Sequence, residues 1–292
     1  MQKILIILIC ILLCFSLACC QKGNTAQVAA TTLPVYEFTS VLCEGTGISV
    51  ARLIDTQVSC LHDYTLDVHQ MRTIESADIV VLSGAGLEDF MSDAIDNAKT
   101  VIDASVGIEL LCEETHDHDA TQHTHSHEND PHIWLSPKNA IIMAENIYNG
   151  LLAAYPQHED LLKQNYRILA DRIQALQDYA SKELASLTNR ELITFHDGFS
   201  YLADAFDLSI LHAIEEESGS EASAGELVEL IELVSSNNVP AIFTEANGSP
   251  SAASVIAAET GVPVYSLDMA MSGNSYFTAM YHNVDTLKEA LK

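Results

Sequence analysis

The chain has 292 residues, of which 48% are hydrophobic, and its 41 acidic and 13 basic side chains give a formal net charge of −28. This acidity argues against nucleic acid and anionic lipid headgroups as partners, because both are bound through basic patches. It suits attraction of cations, although a need for solubility explains it equally well. The length suffices for two lobes of ordinary domain size.

Residues 1–20 are typical of a targeting segment rather than of a folded element. Lys3 gives a positive start, Ile4–Phe15 an apolar stretch too short for a comfortable membrane span, and Ser16–Cys20 a small-residue exit. An exit that ends on cysteine resembles the lipobox of bacterial lipoproteins. Cys20 is the favoured lipidation site, with Cys19 and an ordinary secretory signal as alternatives. We therefore expect an extracytoplasmic protein that is lipid-anchored to the bacterial cell membrane.

Three cysteines follow that segment: Cys43, Cys60 and Cys112. An odd number without a C-x-x-C pair excludes a disulfide framework and disfavours a thiolate zinc site. One bridge and simple buried thiols both stay open.

The first half of the chain alternates short apolar runs with amphipathic helical patterns. The predicted strands are Val28–Leu33, Ile48–Leu53, Ile79–Ser83 and Val101–Asp103, and the predicted helices are Val35–Cys43 and Met71–Ser76. Such alternation favours a parallel sheet covered by helices.

An acidic loop over residues 113–129 is rich in histidine and has no hydrophobic period. Its histidines are His116, His118, His123, His125 and His127. Neutral imidazole is a common zinc ligand, and a dense tract raises the local ligand concentration. We predict auxiliary metal binding here, and a solvated loop without a role is the alternative.

A helical pattern over 137–151 leads into the longest periodic segment of the chain, Glu159–Leu187. Its apolar residues recur every three or four positions: Leu162, Tyr166, Leu169, Ile173, Leu176, Ala180, Leu184 and Leu187. At 1.5 Å per residue this helix would be roughly 40 Å long, which exceeds one small lobe. It therefore predicts a rigid connection between two α/β halves, or else a long helix packed on a single domain.

The second half repeats the alternation of strands and helices. The predicted strands are Leu192–Phe195, Ser209–Ile214, Ala241–Thr244 and Val264–Leu267, and the predicted helices are Phe199–Phe206, Gly225–Ser235, Ser251–Thr260 and Tyr276–Leu291. The predicted fold class is α/β, with two lobes that each hold a small, mainly parallel sheet covered by helices. We divide the chain into a signal (1–20), an N-terminal lobe (21–152), a linking helix (153–188) and a C-terminal lobe (189–292).

Four potential metal ligands stand where strands or loops end: His62, His132, His196 and Asp268. His196 and Asp268 each follow a predicted strand, and open α/β sheets bind ligands beyond the carboxyl ends of their strands. Each residue also has an ordinary interpretation. His62 would be a loop histidine, His196 a buried hydrogen-bonded one, and Asp268 the N-cap of the following helix.

The phrases around these residues, in their order and spacing, resemble the metal-binding solute-binding proteins of ABC importers, which capture zinc or manganese. They are His62–Tyr64, Ser76–Val80, Gly84–Glu88, Asp130–Leu135, Phe195–Asp197, Glu221–Ala224 and Phe243–Glu245, and they cover nearly the whole mature chain. The resemblance implies two lobes joined by one long helix, with metal held between them by the residues matching His62, His132, His196 and Asp268. A histidine-rich insertion before the second ligand resembles the zinc branch.

Three imidazoles and one carboxylate suit tetrahedral zinc, whereas manganese prefers more oxygen ligands. Glu245, near the expected cleft, would add a carboxylate or support a ligand, so a manganese or iron receptor is the alternative. The resemblance implies a monomeric receptor that delivers Zn²⁺ to an ABC permease and is not an enzyme. The H-E-x-x-H motif of zinc hydrolases is absent. A surface adhesin of the same fold is a further alternative.

Overall fold

The structure is a computed structural model, and it describes residues 26–56, 61, 64–111, 129–215, 223–246 and 251–292. Within these ranges the chain forms two four-stranded sheets in which every neighbouring pair of strands is parallel. Helices flank both sheets and a long helix lies between them. The predicted fold class is thereby confirmed.

The first sheet has the strand order β2-β1-β3-β4. Its strands are β1 (Val28–Ala30), β2 (Val50–Arg52), β3 (Ile79–Leu82) and β4 (Val101–Asp103). The two central strands are fully buried and apolar, as expected for a parallel sheet covered on both faces. The first strand was predicted to reach Leu33, but Leu33 begins a helix, because Pro34 suits the first helical turn.

Four helices in the described part of the chain accompany this sheet. They are α1 (Leu33–Leu42), α2 (Val68–Ser76), α3 (Ser92–Ile95) and α4 (Pro137–Ala154). Helix α2 begins three residues earlier than predicted, because Asp67 and Gln70 form a reciprocal capping box that satisfies its first N–H groups.

Helix α5 (Glu159–Glu183) is the predicted long helix and spans roughly 37 Å. The Asn165 amide donates hydrogen bonds to the carbonyls of Leu42 and Glu44 in the first lobe. Near its other end, the Tyr179 hydroxyl donates to Asp285 in the second lobe. The helix is therefore attached to both lobes, and it lies inside the predicted linking segment 153–188.

The second sheet has the order β6-β5-β7-β8. Its strands are β5 (Glu191–His196), β6 (Ser209–Glu215), β7 (Ile242–Glu245) and β8 (Val264–Leu267). Its helices are α6 (Ser200–Ala205), α7 (Ala224–Asn237), α8 (Ser251–Thr260) and α9 (Tyr276–Ala290). The carboxyl ends of the central strands β5 and β7 lie side by side, which brings their last residues together.

The two lobes share one apolar core, in which Trp134 and Tyr276 are completely buried. The Trp134 indole N–H donates to the Met269 carbonyl at 2.7 Å, and the Tyr276 hydroxyl donates to the Trp134 carbonyl at 2.9 Å. Arg52 donates to the carbonyl of Gly273 at 2.7 Å. Directed hydrogen bonds therefore join the lobes in addition to the helix between them.

No helix in the described ranges combines the length and apolarity that a membrane crossing requires.

Candidate metal centre

His196 is the last residue of β5, and its side chain is buried. Glu245 ends the neighbouring strand β7 and is buried as well. Because parallel neighbours end at the same sheet edge, the two side chains meet there, with His196 Nδ1 3.8 Å from Glu245 Oε1. Glu245 was predicted as an auxiliary residue near the cleft, and the structure places it beside a predicted ligand.

His132 lies just before a 3₁₀ turn, Ile133–Leu135, in the first lobe, and it too is buried. Both its backbone N–H and its ring Nδ1 lie 2.8 Å from one oxygen of Asp130. A carboxylate that accepts from Nδ1–H fixes the tautomer and orientation of the ring and leaves Nε2 as the coordinating nitrogen. The Trp134 ring packs edge-on against His132, with 5.4 Å between ring centroids.

His132 and His196 meet where the lobes face each other. Their ring centroids are 5.2 Å apart and the planes are nearly perpendicular, at 88°. Gly198 makes room for the His196 ring, because a Cβ there would lie 2.7 Å from His196 Cδ2 and 2.9 Å from Nε2. The same Cβ would lie 2.7 Å from the Met269 methyl, so glycine is required for the ring to occupy this position.

Asp268 directly follows β8, one residue before Met269. Its backbone N–H donates to the Asn283 amide oxygen and its carbonyl accepts from the same amide, both at 2.7 Å. Its carboxylate accepts the Ala270 N–H at 2.8 Å. The alternative that Asp268 caps the next helix is wrong, because α9 begins at Tyr276 with Ser275 as its N-cap. The carboxylate instead stabilises a tight turn beside the histidine pair.

Several predicted residues lie outside the described ranges. They are His62, the tract residues His116, His118, His123, His125 and His127, and the lipidation candidates Cys19 and Cys20. Within the described ranges, no three His, Cys, Asp or Glu side chains are grouped closely enough to hold a metal ion. The structure therefore brings His132 and His196 together and places Asp268 on the adjoining turn. The role of all four predicted ligands stays a prediction.

Sequence reasoning did not assign roles to Asp130, Gly198 or Met269. The sequence did contain a signal for Asp130, since it lies two residues before the candidate ligand His132. A carboxylate at that spacing can accept hydrogen bonds from both the backbone N–H and the ring of the histidine. Gly198 and Met269 carry no comparable signal, since the approach of the Met269 methyl to Gly198 joins residues distant along the chain.

Two parallel-sheet lobes, a long helix between them and a buried histidine pair where they meet define a class of two-lobed proteins with a candidate metal site between the lobes. The profile of the ZnuA family, described as "zinc-uptake complex component A periplasmic", matches residues 28–290. The chain belongs to this family, and the resemblance seen in its sequence is confirmed.

Individual relatives agree with this assignment. The zinc-binding lipoprotein AdcA of Streptococcus pneumoniae is 30% identical over 307 residues, covering 99% of this chain and 61% of that protein. The chain thus spans about three-fifths of that relative's length. The Zn(II)-bound ZnuA-like domain of the same AdcA matches with a TM-score of 0.76 at 28% identity, over 90% of this chain and 98% of that one.

A second solved structure matches over a similar extent. It is the laminin-binding protein Lmb of Streptococcus agalactiae, described as bifunctional, with adhesin and metal transporting activity. Its TM-score is 0.77 at 26% identity, over 91% of this chain and 99% of that one.

Proposed function

We propose that this protein captures Zn²⁺ outside the cytoplasm and delivers it to an ABC-type membrane permease. The observation that carries the proposal is the contact between His132 and His196, one from each lobe, both buried. A metal bound by both rings would be held by both lobes at once. His62 and Asp268 would complete a shell of three nitrogens and one oxygen.

The donor set favours zinc over manganese. Imidazole nitrogen binds zinc well, while manganese prefers sites richer in oxygen. The description of the family as a zinc-uptake component supports the same metal. Glu245 would move the preference toward manganese or iron, if its carboxylate coordinated the metal directly instead of supporting His196.

Binding rather than catalysis is the action we propose. The lobes are joined by bonds from Arg52 to Gly273 and from Trp134 to Met269, in addition to α5. A wide opening of the lobes would break both hydrogen bonds, of which the one from Trp134 is buried, so capture and release would proceed by a small tilt or by rearrangement of loops. The loaded shape would then dock on the permease, with the protein acting as a monomer.

The anchoring at Cys20, or at Cys19, is likewise a proposal, supported by the lipoprotein name of the pneumococcal relative.

We propose that the tract His116–His127 recruits or buffers zinc without forming the main site. Deleting it is expected to lower the number of weak zinc sites and leave one tight site. Loss of the tight site would contradict this separation of roles.

Metal competition tests the main proposal. The chain starting after Cys20 should hold one tight zinc ion that a large excess of manganese does not displace. His196→Ala and His132→Ala should each abolish the tight site, whereas His69→Ala, an exposed histidine on α2, should not. Preferential retention of manganese or iron would assign the protein to another metal, and a tight site that survives both histidine changes would refute the site.

An adhesin role is the second candidate, and the description of the S. agalactiae protein favours it. Binding of the purified protein to immobilised laminin, with zinc and after chelation, measures it directly. Saturable binding would add this role, and binding no stronger than that of an unrelated acidic protein would remove it.

A further inference from the structure

The Tyr201 hydroxyl joins the second lobe to the segment that carries His132. Tyr201 lies on α6, five residues after His196, and its side chain is buried. The hydroxyl accepts the Leu111 N–H at 2.9 Å and donates to the Asp130 carbonyl at 3.1 Å. Both of these partners belong to the first lobe.

Leu111 and Asp130 also form a backbone hydrogen bond with each other. The Asp130 N–H donates to the Leu111 carbonyl at 2.9 Å. Tyr201 therefore closes a ring of hydrogen bonds that brings together two residues 19 positions apart. The hydroxyl thus links three separate segments of the chain, those that carry Tyr201, Leu111 and Asp130. Its loss leaves the Leu111 N–H and the Asp130 carbonyl without this hydrogen-bond partner.

Asp130 is the residue that orients the His132 ring. One oxygen of its carboxylate contacts both the backbone N–H and Nδ1 of His132 at 2.8 Å. The position of that oxygen depends on the Asp130 backbone, which Tyr201 holds through its carbonyl. The contacts thus run from the Tyr201 hydroxyl, through Asp130, to the ring of His132.

We infer that Tyr201 is a positioning residue for the zinc site, which sets His132 in the first lobe relative to His196 in the second. The inference rests on the proposed function. Its physical basis is that the partners behind a metal ligand fix its orientation, and their loss typically weakens metal binding 10- to 100-fold. Tyr201 is one hydrogen bond further from the metal than Asp130. We therefore expect its loss to weaken zinc affinity by an amount near the lower end of that range.

Tyr201→Phe tests the inference, because it removes one oxygen and keeps the buried ring. Tyr179→Phe is the matched control, since its hydroxyl bonds Asp285 between α5 and α9, away from the histidine pair. Zinc affinity is measured by chelator competition on the soluble chain. We expect about tenfold weaker binding for Tyr201→Phe at unchanged stoichiometry, and no change for Tyr179→Phe.

A spectroscopic measurement separates positioning from general loss of stability. Co²⁺ in place of zinc reports ligand geometry through its visible absorption bands. These bands should shift in Tyr201→Phe and match the wild type in Tyr179→Phe. In the zinc-free wild type, the Leu111 amide should exchange slowly with solvent, which tests the hydrogen bond without any variant.

The outcomes separate the positioning role of Tyr201 from the proposed zinc site. Wild-type affinity and wild-type cobalt bands in Tyr201→Phe would overturn the inference, while loss of the site in His196→Ala would leave the proposed function standing. Rapid exchange of the Leu111 amide would also overturn the inference, even if Tyr201→Phe failed to fold. Tight zinc binding that survives His196→Ala and His132→Ala would refute the proposed site itself.

Discussion

His132 and His196 lie edge to face across the meeting of the two lobes, with 5.2 Å between their ring centroids. One ring stands on a 3₁₀ turn of the first lobe and the other at the end of a central strand of the second. Each is buried beside a carboxylate, Asp130 or Glu245. A metal ion between them would bind both halves of the protein.

Asp130→Asn is expected to weaken zinc binding. The variant keeps an oxygen that can accept from His132 but removes the charge that strengthens the Nδ1 hydrogen bond. Zinc affinity from chelator competition should fall by about 10- to 100-fold. Asp93→Asn, at an exposed position of α3, is the control. Equal affinity for the two variants would show that Asp130 does not support the ligand.

Gly198→Ala is expected to displace the His196 ring. The added methyl group would lie within 3 Å of two atoms of that ring and of the Met269 methyl, so at least one of them must move. Zinc affinity should fall while the fold is retained, as shown by circular dichroism. Gly225→Ala is the matched control, because its Cβ would meet nothing closer than Ser223 Oγ at 3.9 Å. Unchanged binding by Gly198→Ala would mean that the ring position does not matter.

Glu88 is expected to make stability depend on pH. Burial raises the pKa of Glu88 from its usual 4.5 to about 7, although Thr31, Ser83 and Gly84 donate hydrogen bonds to it; nearby Asp103 raises it slightly further. The folded state thus holds the proton more tightly than the unfolded chain. Protonation of Glu88 therefore stabilises the folded protein. This contribution to the free energy of unfolding is fully present below about pH 4.5 and is lost as the pH rises through about 7.

Chemical denaturation of the zinc-free protein between pH 4 and 8 measures this effect. The contribution of Glu88 to the free energy of unfolding should change by roughly 3 kcal/mol across that range. Glu88→Gln should remove this part of the pH dependence, whatever its effect on stability at a single pH. Parallel pH profiles for the variant and the wild type would show that Glu88 stays ionised throughout.

Tyr276→Phe is expected to destabilise the contact between the lobes. The Tyr276 hydroxyl is buried and donates to the Trp134 carbonyl, which would be left unsatisfied. Burial raises the pKa of Tyr276, so the hydroxyl remains a neutral donor. The free energy of unfolding should fall by about 1–3 kcal/mol. Tyr179→Phe, whose bond to Asp285 is exposed, should cost less, and equal costs would argue against a special role for the buried bond.

The alternation of strands and helices, the long helix α5 and the two-lobed fold class could all be predicted from the amino-acid sequence. These follow from local patterns, because short apolar runs indicate buried strands and an apolar period of 3.6 residues indicates helices, without reference to distant residues. The short helix α3 was not predicted, and the other errors lie at element ends. Pro34 moved the start of α1, and the Asp67–Gln70 capping box moved the start of α2. The resemblance to a family also identified His132 and His196 as ligand candidates.

The arrangement of these candidates depends on contacts between residues far apart in the sequence. Tyr201 bonds residues that lie 90 and 71 positions away along the chain. Trp134 and Met269 are 135 positions apart and yet share a hydrogen bond. Gly198 is needed only because a ring and a methyl group converge on its Cα. The contacts of Tyr201 and Trp134 depend on how the two lobes pack together, and that of Gly198 on how the turns at one edge of the second lobe converge. No local period in the sequence encodes either arrangement.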